Sequence, residues 1–353
     1  MIDYTEPWYA TREDVKDALD FKTTARADAR IDRALAAASR SVDGLCHRRF
    51  YPAVGTRYWD WPNGQHARAW RLWLDDSELV ELTGLVSGGV TIPTGAVILN
   101  PQRSGPPYRS LEIDLSSAYA LSAGDTEQHA VAVTGLWGYR NAEAPAGTVV
   151  GAAGATDTTL TVSDASLVGV GSLLRSGDER LLAVGRSMAD TGVTLAADLG
   201  GQAKDTTVTV SDGTGAHVGE VLLVDGERLR VDDIAGDTLV VRRQWDGSTL
   251  AAHTSGATVY APRALTVARG AVGTTASAIA NGAALMVWEP PPLVRTLTIA
   301  EAVTTLSQEL AGYARTSRSS SSSGTPRPVT PTVGDIRDQC YAAHGRHART
   351  RAV

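Results

Sequence analysis

Asp157-Thr-Thr-Leu-Thr-Val-Ser-Asp164 returns as Asp205-Thr-Thr-Val-Thr-Val-Ser-Asp212, 48 positions further along the chain. The same shift carries Gly171 onto Gly219, Leu174 onto Leu222 and Glu179-Arg180-Leu181 onto Glu227-Arg228-Leu229. One register held over such a stretch marks an internal structural repeat. A shorter echo matches Arg243, Gly247, Thr249, Gly256 and Ala257 to Arg269, Gly273, Thr275, Gly282 and Ala283 at a shift of 26. Leu160-Thr161-Val162 alternates, and Val221-Leu222-Leu223-Val224 runs into Asp225-Gly226, a pattern of β-strands joined by tight turns. The spacing predicts an all-β region over 146–289 made of two tandem modules, at about 150–200 and 201–289. Its aromatic residues are Trp245, Tyr260 and Trp288.

The flanks read differently. Thr11 followed by Arg12-Glu13-Asp14 predicts a capped helix start, with acids near the exposed amides of the first turn. A longer helix is expected from about Ala25 to Cys46. Its stripe of Ile31, Leu35, Ala38, Val42 and Leu45 lies opposite a charged face with Arg26, Asp28, Arg30, Asp32, Arg33 and Arg40. Ile31, Leu35 and Val42 are candidates for packing on a neighbouring subunit. Between Phe50 and Tyr139, short runs broken by Gly and Pro predict strands at 79–86, 96–99, 111–115 and 131–136. Tyr58-Trp59-Asp60-Trp61, the turn Pro62-Asn63-Gly64 and Ala69 to Leu74 read as a hairpin. Pro290-Pro291-Pro292 ends the β-pattern, and a third helix is expected from Leu293 to about Ala314.

The C-terminal part changes character again. Residues 316–332, with Ser319 to Ser323 in a row and Pro326, Pro328 and Pro331, predict a spacer that builds no core. Ile336, Cys340 and Ala343 then form one face of a short helix with no evident internal core to join, which points to a partner. Residues 315–353 hold seven arginines against Asp335 and Asp338, a local +5, so the formal −6 of the chain divides into a −11 body and a +5 arm. Ile336, Arg337, Cys340, Tyr341, Arg346, Arg349 and Arg351 are the candidate docking residues of that arm.

At 353 residues and 43% hydrophobic the chain reads as a core-forming protein of more than one domain. No apolar run is long enough to cross a membrane, and the N-terminus lacks the basic flank and apolar run of a signal peptide. Cys46 and Cys340 alone cannot staple a secreted scaffold. The scattered histidines fit no catalytic pattern. Cys340, His344 and His347 have metal-like spacing but lack the fourth ligand of a structural zinc site. No enzyme, cofactor or metal is expected. The arm has no interleaved aromatics to stack on bases, which favours docking on protein over binding DNA.

Thr11-Arg12-Glu13-Asp14-Val15, Ile31-Asp32-Arg33-Ala34-Leu35 and Val42 through Cys46-His47-Arg48-Arg49-Phe50-Tyr51-Pro52 together resemble the opening of tailed-phage head-to-tail connector (adaptor) proteins. So do Pro106 to Ile113, Val133 to Tyr139 and the helix from Leu293. The resemblance covers about 9–140 and 290–315. The repeats separately resemble β-modules of phage structural proteins, whose pattern runs Gly-Asp-Glu, a strand, then Arg-Gly-x-x-Gly-Thr. Gln244 replaces the first glycine of that turn, and Ile279 stands where the other copy has His253.

The resemblance implies an α+β fold: a helical connector core with a small β-sheet (1–145, closed by 290–315), an inserted all-β repeat region, a linker and a C-terminal arm (333–353). It also implies a homo-oligomeric ring, commonly of twelve subunits, located in the virion at the head-tail junction and assembled in the host bacterial cytoplasm. Its partners would be the portal protein, the next tail component and genomic DNA passing through the channel without sequence-specific binding. The repeats leave a second expectation: a surface-binding module recognising carbohydrate through an aromatic platform.

Overall fold

The computed structural model describes residues 6–19, 27–62, 68–310 and 332–346. Two helices come first, α1 (Arg12–Leu19) and α2 (Asp28–Cys46). Strands β1 (Ala53–Trp59), β2 (Arg71–Trp73), β3 (Leu79–Ser87), β4 (Val90–Ile92), β5 (Val97–Asn100), β6 (Ser110–Ile113) and β7 (Val131–Trp137) follow. The repeat region supplies β8 (Glu143–Val150), β9 (Thr159–Val162), β10 (Leu173–Ser176), β11 (Glu179–Thr194) and β12 (Thr207–Thr209). It continues with β13 (Val221–Val224), β14 (Glu227–Ala235), β15 (Thr238–Arg242), β16 (Thr258–Ala268) and β17 (Ala284–Trp288). Helices α3 (Pro292–Leu310) and α4 (Val333–His344) close the described chain.

Strand content is 37% and helix content 23%, with a ten-stranded antiparallel sheet as the largest element. This overturns the expected helical connector core: the fold is mostly β. The helix signals in the sequence are strong but local, and the strands outweigh the helices they specify. By contacts the chain divides into one unit of Met1–Leu45, Glu143–Ala271 and Thr275–His344, and another of Cys46–Ala142, Val272–Thr274 and Gly345–Val353.

In the first unit the repeats are nested rather than tandem. β11 pairs with β10, β10 with β17, β17 with β8, β8 with β9, β9 with β16, and β16 returns to β11, closing a six-stranded antiparallel barrel. The far halves of the long strands β11 and β16 open a second barrel, in which β16 pairs with β13, β13 with β14, β14 with β15, and β15 with β12. Ser211 N–H to Thr194 O and Ala196 N–H to Thr209 O, each 2.8 Å, return β12 to the end of β11. Closure removes the open sheet edges that either copy alone would expose.

Each barrel has its own core, and equivalent positions occupy it. Leu160, Val162, Leu174 and Leu181 of the outer barrel correspond to Val208, Val210, Leu222 and Leu229 of the inner one at the shift of 48. Leu265 and Val267 correspond to Leu239 and Val241 at the shift of 26. The second shift runs in reverse order along the chain because the inner copy begins and ends inside the outer copy.

The helices pack on the outer barrel. Thr11 and Asp14 form a reciprocal cap on α1, Asp14 N–H to Thr11 Oγ1 at 3.1 Å and Thr11 N–H to Asp14 Oδ2 at 2.8 Å. Val15, Ile31, Leu35, Ala302 and Leu306 then share one core with Trp8 and with Val170 of the barrel. Trp8 N–H donates to Gly171 O and Arg12 N–H to Val170 O. Gly171 has a φ of +100°, and a side chain there would collide with the Trp8 ring, so the close approach requires glycine.

The second unit holds two antiparallel sheets, β1-β7-β3-β4 and β2-β6-β5, around Trp61, Leu72, Leu85, Leu111, Val133 and Trp137. Among the described residues the expected hairpin pairing is absent: β1 pairs with β7 along its whole length and β2 with β6, while Asn63 and Gly64 of the expected turn lie outside the described residues. The distant partner supplies what a local turn does not. Arg57 lies 4.4 Å over the Trp137 ring, and Trp59 packs on Trp137 at 5.9 Å.

Candidate functional site

The chemistry of the nested barrels concentrates on buried carboxylates: Glu220, held by Arg263, and two at equivalent positions of the copies. Glu179 and Glu227 open equivalent strands, β11 and β14, and their side chains are fully buried. Arg269 grips Glu179 with two parallel hydrogen bonds of 2.8 Å, and Arg243 grips Glu227 at 2.8 and 2.7 Å. Backbone amides complete each site: Gly270 and Ser277 donate to Glu179, Gln244 and Ala251 to Glu227. Each arginine spends its remaining donors on carbonyls: Gly154, Asp157 and Ser277 for Arg269, Gly200, Asp205 and Ala251 for Arg243. The carboxylate therefore ties a strand start to the loop that follows the arginine and to an earlier turn. The inner copy adds His253, buried between Glu227 (Nε2 to Oε2, 3.0 Å) and Asp225 (Nδ1 to Oδ2, 2.7 Å); the outer copy has Ile279 there.

Burial alone pushes the Glu227 carboxyl up. Arg243, the Ala251 amide, His253 and the Gln244 amide outweigh it and hold the group down at about 2. Glu179 is likewise lowered, with burial opposed by Arg269 and the Ser277 and Gly270 amides. Since both folded-state values lie below the unfolded one, their stabilisation is complete above the ordinary glutamate pKa of about 4.3 and is lost on acidification, for Glu227 as pH falls towards about 2. Urea unfolding at stepped pH is expected to show stability that is level in this term above about pH 5 and falls below about pH 4. Glu227→Gln is expected to flatten part of that fall, and an unchanged acid limb would contradict this assignment.

The loops held by the two locks share a left-handed residue directly after the arginine, but not its identity. Gly270 has a φ of +59°, and its counterpart Gln244 is forced to +57°. Gln244→Gly is expected to stabilise the protein by about 0.5–1 kcal/mol in chemical denaturation, because glycine adopts this conformation without the Cβ penalty.

A cleft of about 550 Å³ lies between α1 and the strands of both barrels. Ion pairs cross it: Arg186 to Glu13 at 3.1 Å, Arg230 to Asp17 at 3.2 Å and Lys16 to Asp246 at 3.7 Å. Arg228 pairs with the same Asp246 at 2.6 Å, and Arg295 of α3 with Asp14 at 2.6 Å. Burial raises the Asp17 pKa and Arg230 only partly offsets it. Charges on the walls answer one another, so the cleft works as a seat for α1. Trp245, one of its linings, lies under Arg230 at 4.8 Å, while Trp288 is buried against Tyr9 and Tyr260 is half exposed. The three aromatics of the repeats thus have three separate roles and do not assemble a carbohydrate platform.

The residues singled out in the sequence have these places. Ile31, Leu35 and Val42 are buried within the chain itself, so the surface expected to meet a neighbouring subunit is already covered. The C-terminal helix also finds an internal seat, contrary to expectation: Cys340 is fully buried, and Arg337 pairs with Glu301 of α3 and reaches Ser41 Oγ at 3.3 Å. Ile336 and Tyr341 are half-buried, while Ala343, expected on the same face as Ile336 and Cys340, is exposed. The Arg346 guanidinium donates to the carbonyls of Asp75 and Asp76, and its amide to Cys46 O at 3.0 Å. His347, Arg349 and Arg351 lie outside the described residues, as do most of the spacer and the ends expected for two helices, 25–26 and 311–314. Among the described residues no group of three His, Cys, Asp or Glu is placed to hold a metal ion.

The glutamate-arginine locks were not foreseen as sites. Their signal was present, because a charged residue recurring in both copies on otherwise apolar strands needs a buried partner. No protein-family model, curated protein or solved structure matches the chain.

Proposed function

We propose that the chain is a structural subunit of a tailed-phage virion that forms a homo-oligomeric ring between the capsid portal and the tail. In this reading the ring extends the DNA channel, presents a surface to the next tail component and docks on the portal through its basic C-terminal end. The order of connector-like motifs in the sequence supports the reading. The observation that carries the docking role is the anchor at Arg346, whose guanidinium donates to the carbonyls of Asp75 and Asp76; in sequence it begins the basic run that contains Arg349 and Arg351. The locks and the α1 seat give rigidity without turnover, as a component under mechanical load requires.

Truncation after Arg346 tests the reading without touching α4 or its buried Cys340. The shortened protein is expected to keep the parent's unfolding midpoint and to lose at least tenfold in affinity for portal protein, measured by biolayer interferometry. Undiminished portal binding would remove the tail's assigned role.

A further inference from the structure

The inner lock differs from the outer one by a pair of residues that change together. At the shift of 48 the turn before the lock glutamate has Asp225 where the outer copy has Gly177, and at the shift of 26 His253 stands where the outer copy has Ile279. The backbone around them is alike. Gly177 and Asp225 both take the left-handed conformation, at φ of +57° and +54°, and Ile279 and His253 each form an isolated bridge, to Ala153 and Leu199. Glycine adopts this turn at no steric cost, whereas the aspartate is held in a region uncommon for a residue with a side chain. Neither replacement is needed for the lock itself, because Glu179 and Arg269 form it without them.

The two replacements meet. His253 Nδ1 lies 2.7 Å from Asp225 Oδ2, and Nε2 lies 3.0 Å from Glu227 Oε2. The imidazole is fully enclosed, while the Asp225 side chain is 62% exposed. Glu227, held down at about 2 against its burial by Arg243, the Ala251 amide and His253, is ionised and can only accept. A neutral imidazole carries one N–H and satisfies one of these carboxylates; both at once require the imidazolium. Charge balance agrees. Arg243 answers Glu227, and among the described residues the Asp225 carboxylate has no partner other than His253. The other charged groups on the elements around the ring are engaged elsewhere or face water. Asp198 accepts from the Ser255 amide, Asp205 from the Gln202 amide, Arg228 pairs with Asp246, and Lys204 is exposed.

We propose that His253 is a proton-operated latch on the inner barrel, closed when the imidazolium joins Asp225 to Glu227 and opened when the ring gives up a proton to solvent. The partners decide which contact breaks. Glu227 keeps Arg243 and two amides, so the remaining N–H stays on Nε2 and the bare Nδ1 faces the Asp225 oxygen. Two acceptors at that distance repel, and Asp225, at the surface in a costly backbone conformation, turns out to water. Like any histidine that gains partners on folding, the latch contributes fully while the ring is protonated and is lost as pH rises through the titration of the ring. Histidine's ordinary charge change falls between about pH 5 and 8, a range in which ordinary carboxylates and guanidiniums keep their charge. The outer barrel, with Gly177 and Ile279, has no such response. The latch is independent of the connector reading.

Histidine-selective ¹⁵N labelling of the full chain, with His253→Gln to identify the signal, reports the ring directly. Hydrogen exchange read by mass spectrometry over 222–229 reports the turn. At about pH 5 both ring nitrogens are expected to carry protons. As the ring titrates, protection of the turn, corrected for the intrinsic pH dependence of exchange, is expected to fall about tenfold, while 174–181 of the outer barrel is unchanged. Asp225→Asn, at an exposed turn position where asparagine fits the left-handed backbone, is expected to keep the fold and to move the titration of the ring about one pH unit lower. Asp225→Gly/His253→Ile, which copies the outer turn, is expected to fold and to lose the pH response. A single protonated nitrogen while the turn is fully protected overturns the proposal, as does a ring that holds both protons until the chain unfolds. Protection that ignores the titration of the ring, or an unmoved titration in Asp225→Asn, overturns it as well.

Discussion

Glu227→Gln is expected to destabilise the inner barrel by about 3–5 kcal/mol, the range found when one partner of a buried ion pair is removed. The substitution keeps the size of the side chain but takes away its charge, leaving Arg243 almost fully buried without its counter-ion. Two backbone amides and His253 also lose a charged acceptor. Because the inner core shares no residue with the outer one, the loss is expected to be local. Hydrogen exchange should show β13, β14 and β15 losing protection while β8, β9 and β10 keep theirs. Glu179→Gln should give the mirror image, and replacing Glu227 and Arg243 together by methionine should recover much of the loss. A cost below about 1 kcal/mol for either single substitution would mean that the locks do not hold the barrels.

Excision of the inner barrel should leave a folded protein. Leu195 and Ala257 are joined by a 2.9 Å backbone hydrogen bond, and Gly256 N–H returns to Leu195 O at 2.7 Å, so the cut ends are adjacent. Replacing 196–256 by Asn-Gly converts β11 and β16 into one long hairpin with a favoured two-residue turn. The outer core, the Glu179-Arg269 lock and the contacts of Trp8 and Arg12 with Gly171 and Val170 remain. The part of the α1 seat made by Arg228, Arg230 and Asp246 is lost, and so is buried Glu220, the partner of Arg263 on β16, so Arg263→Met is combined with the cut to avoid leaving an unpaired charge. A single cooperative transition in calorimetry is the expected outcome. Tandem modules at 150–200 and 201–289 would predict the opposite, since the same cut would clip the end of the first and remove most of the second, leaving a remnant that cannot close.

What the sequence disclosed, and what it withheld, follows from the range of the forces involved. The Thr11-Asp14 cap, the stripe through Ile31 and Leu35, and the strand at 131–137 are local patterns, and the structure has them. Partnership is not local. Alternation at Tyr58 and Trp59 identifies a strand without saying that its neighbour is β7. Likewise the stripe of α2 says that a face is buried, but not that Val170 of the outer barrel helps cover it. Nesting was written in the two shifts, 48 and 26, since only an inner copy lets the second pair of motifs run in reverse order. Reading it required knowing that Glu179 meets Arg269 ninety residues away while Glu227 meets Arg243 at sixteen. The basic C-terminal stretch was legible as charge, whereas the seat of Cys340 and the capture of Arg346 depend on tertiary contacts.

The connector reading stands on assembly, and assembly is visible directly. Negative-stain electron microscopy of the purified chain, alone and mixed with portal protein, should show ring-shaped particles with a central opening that stack coaxially on portal. A monomer that leaves portal particles undecorated at micromolar concentration would contradict it.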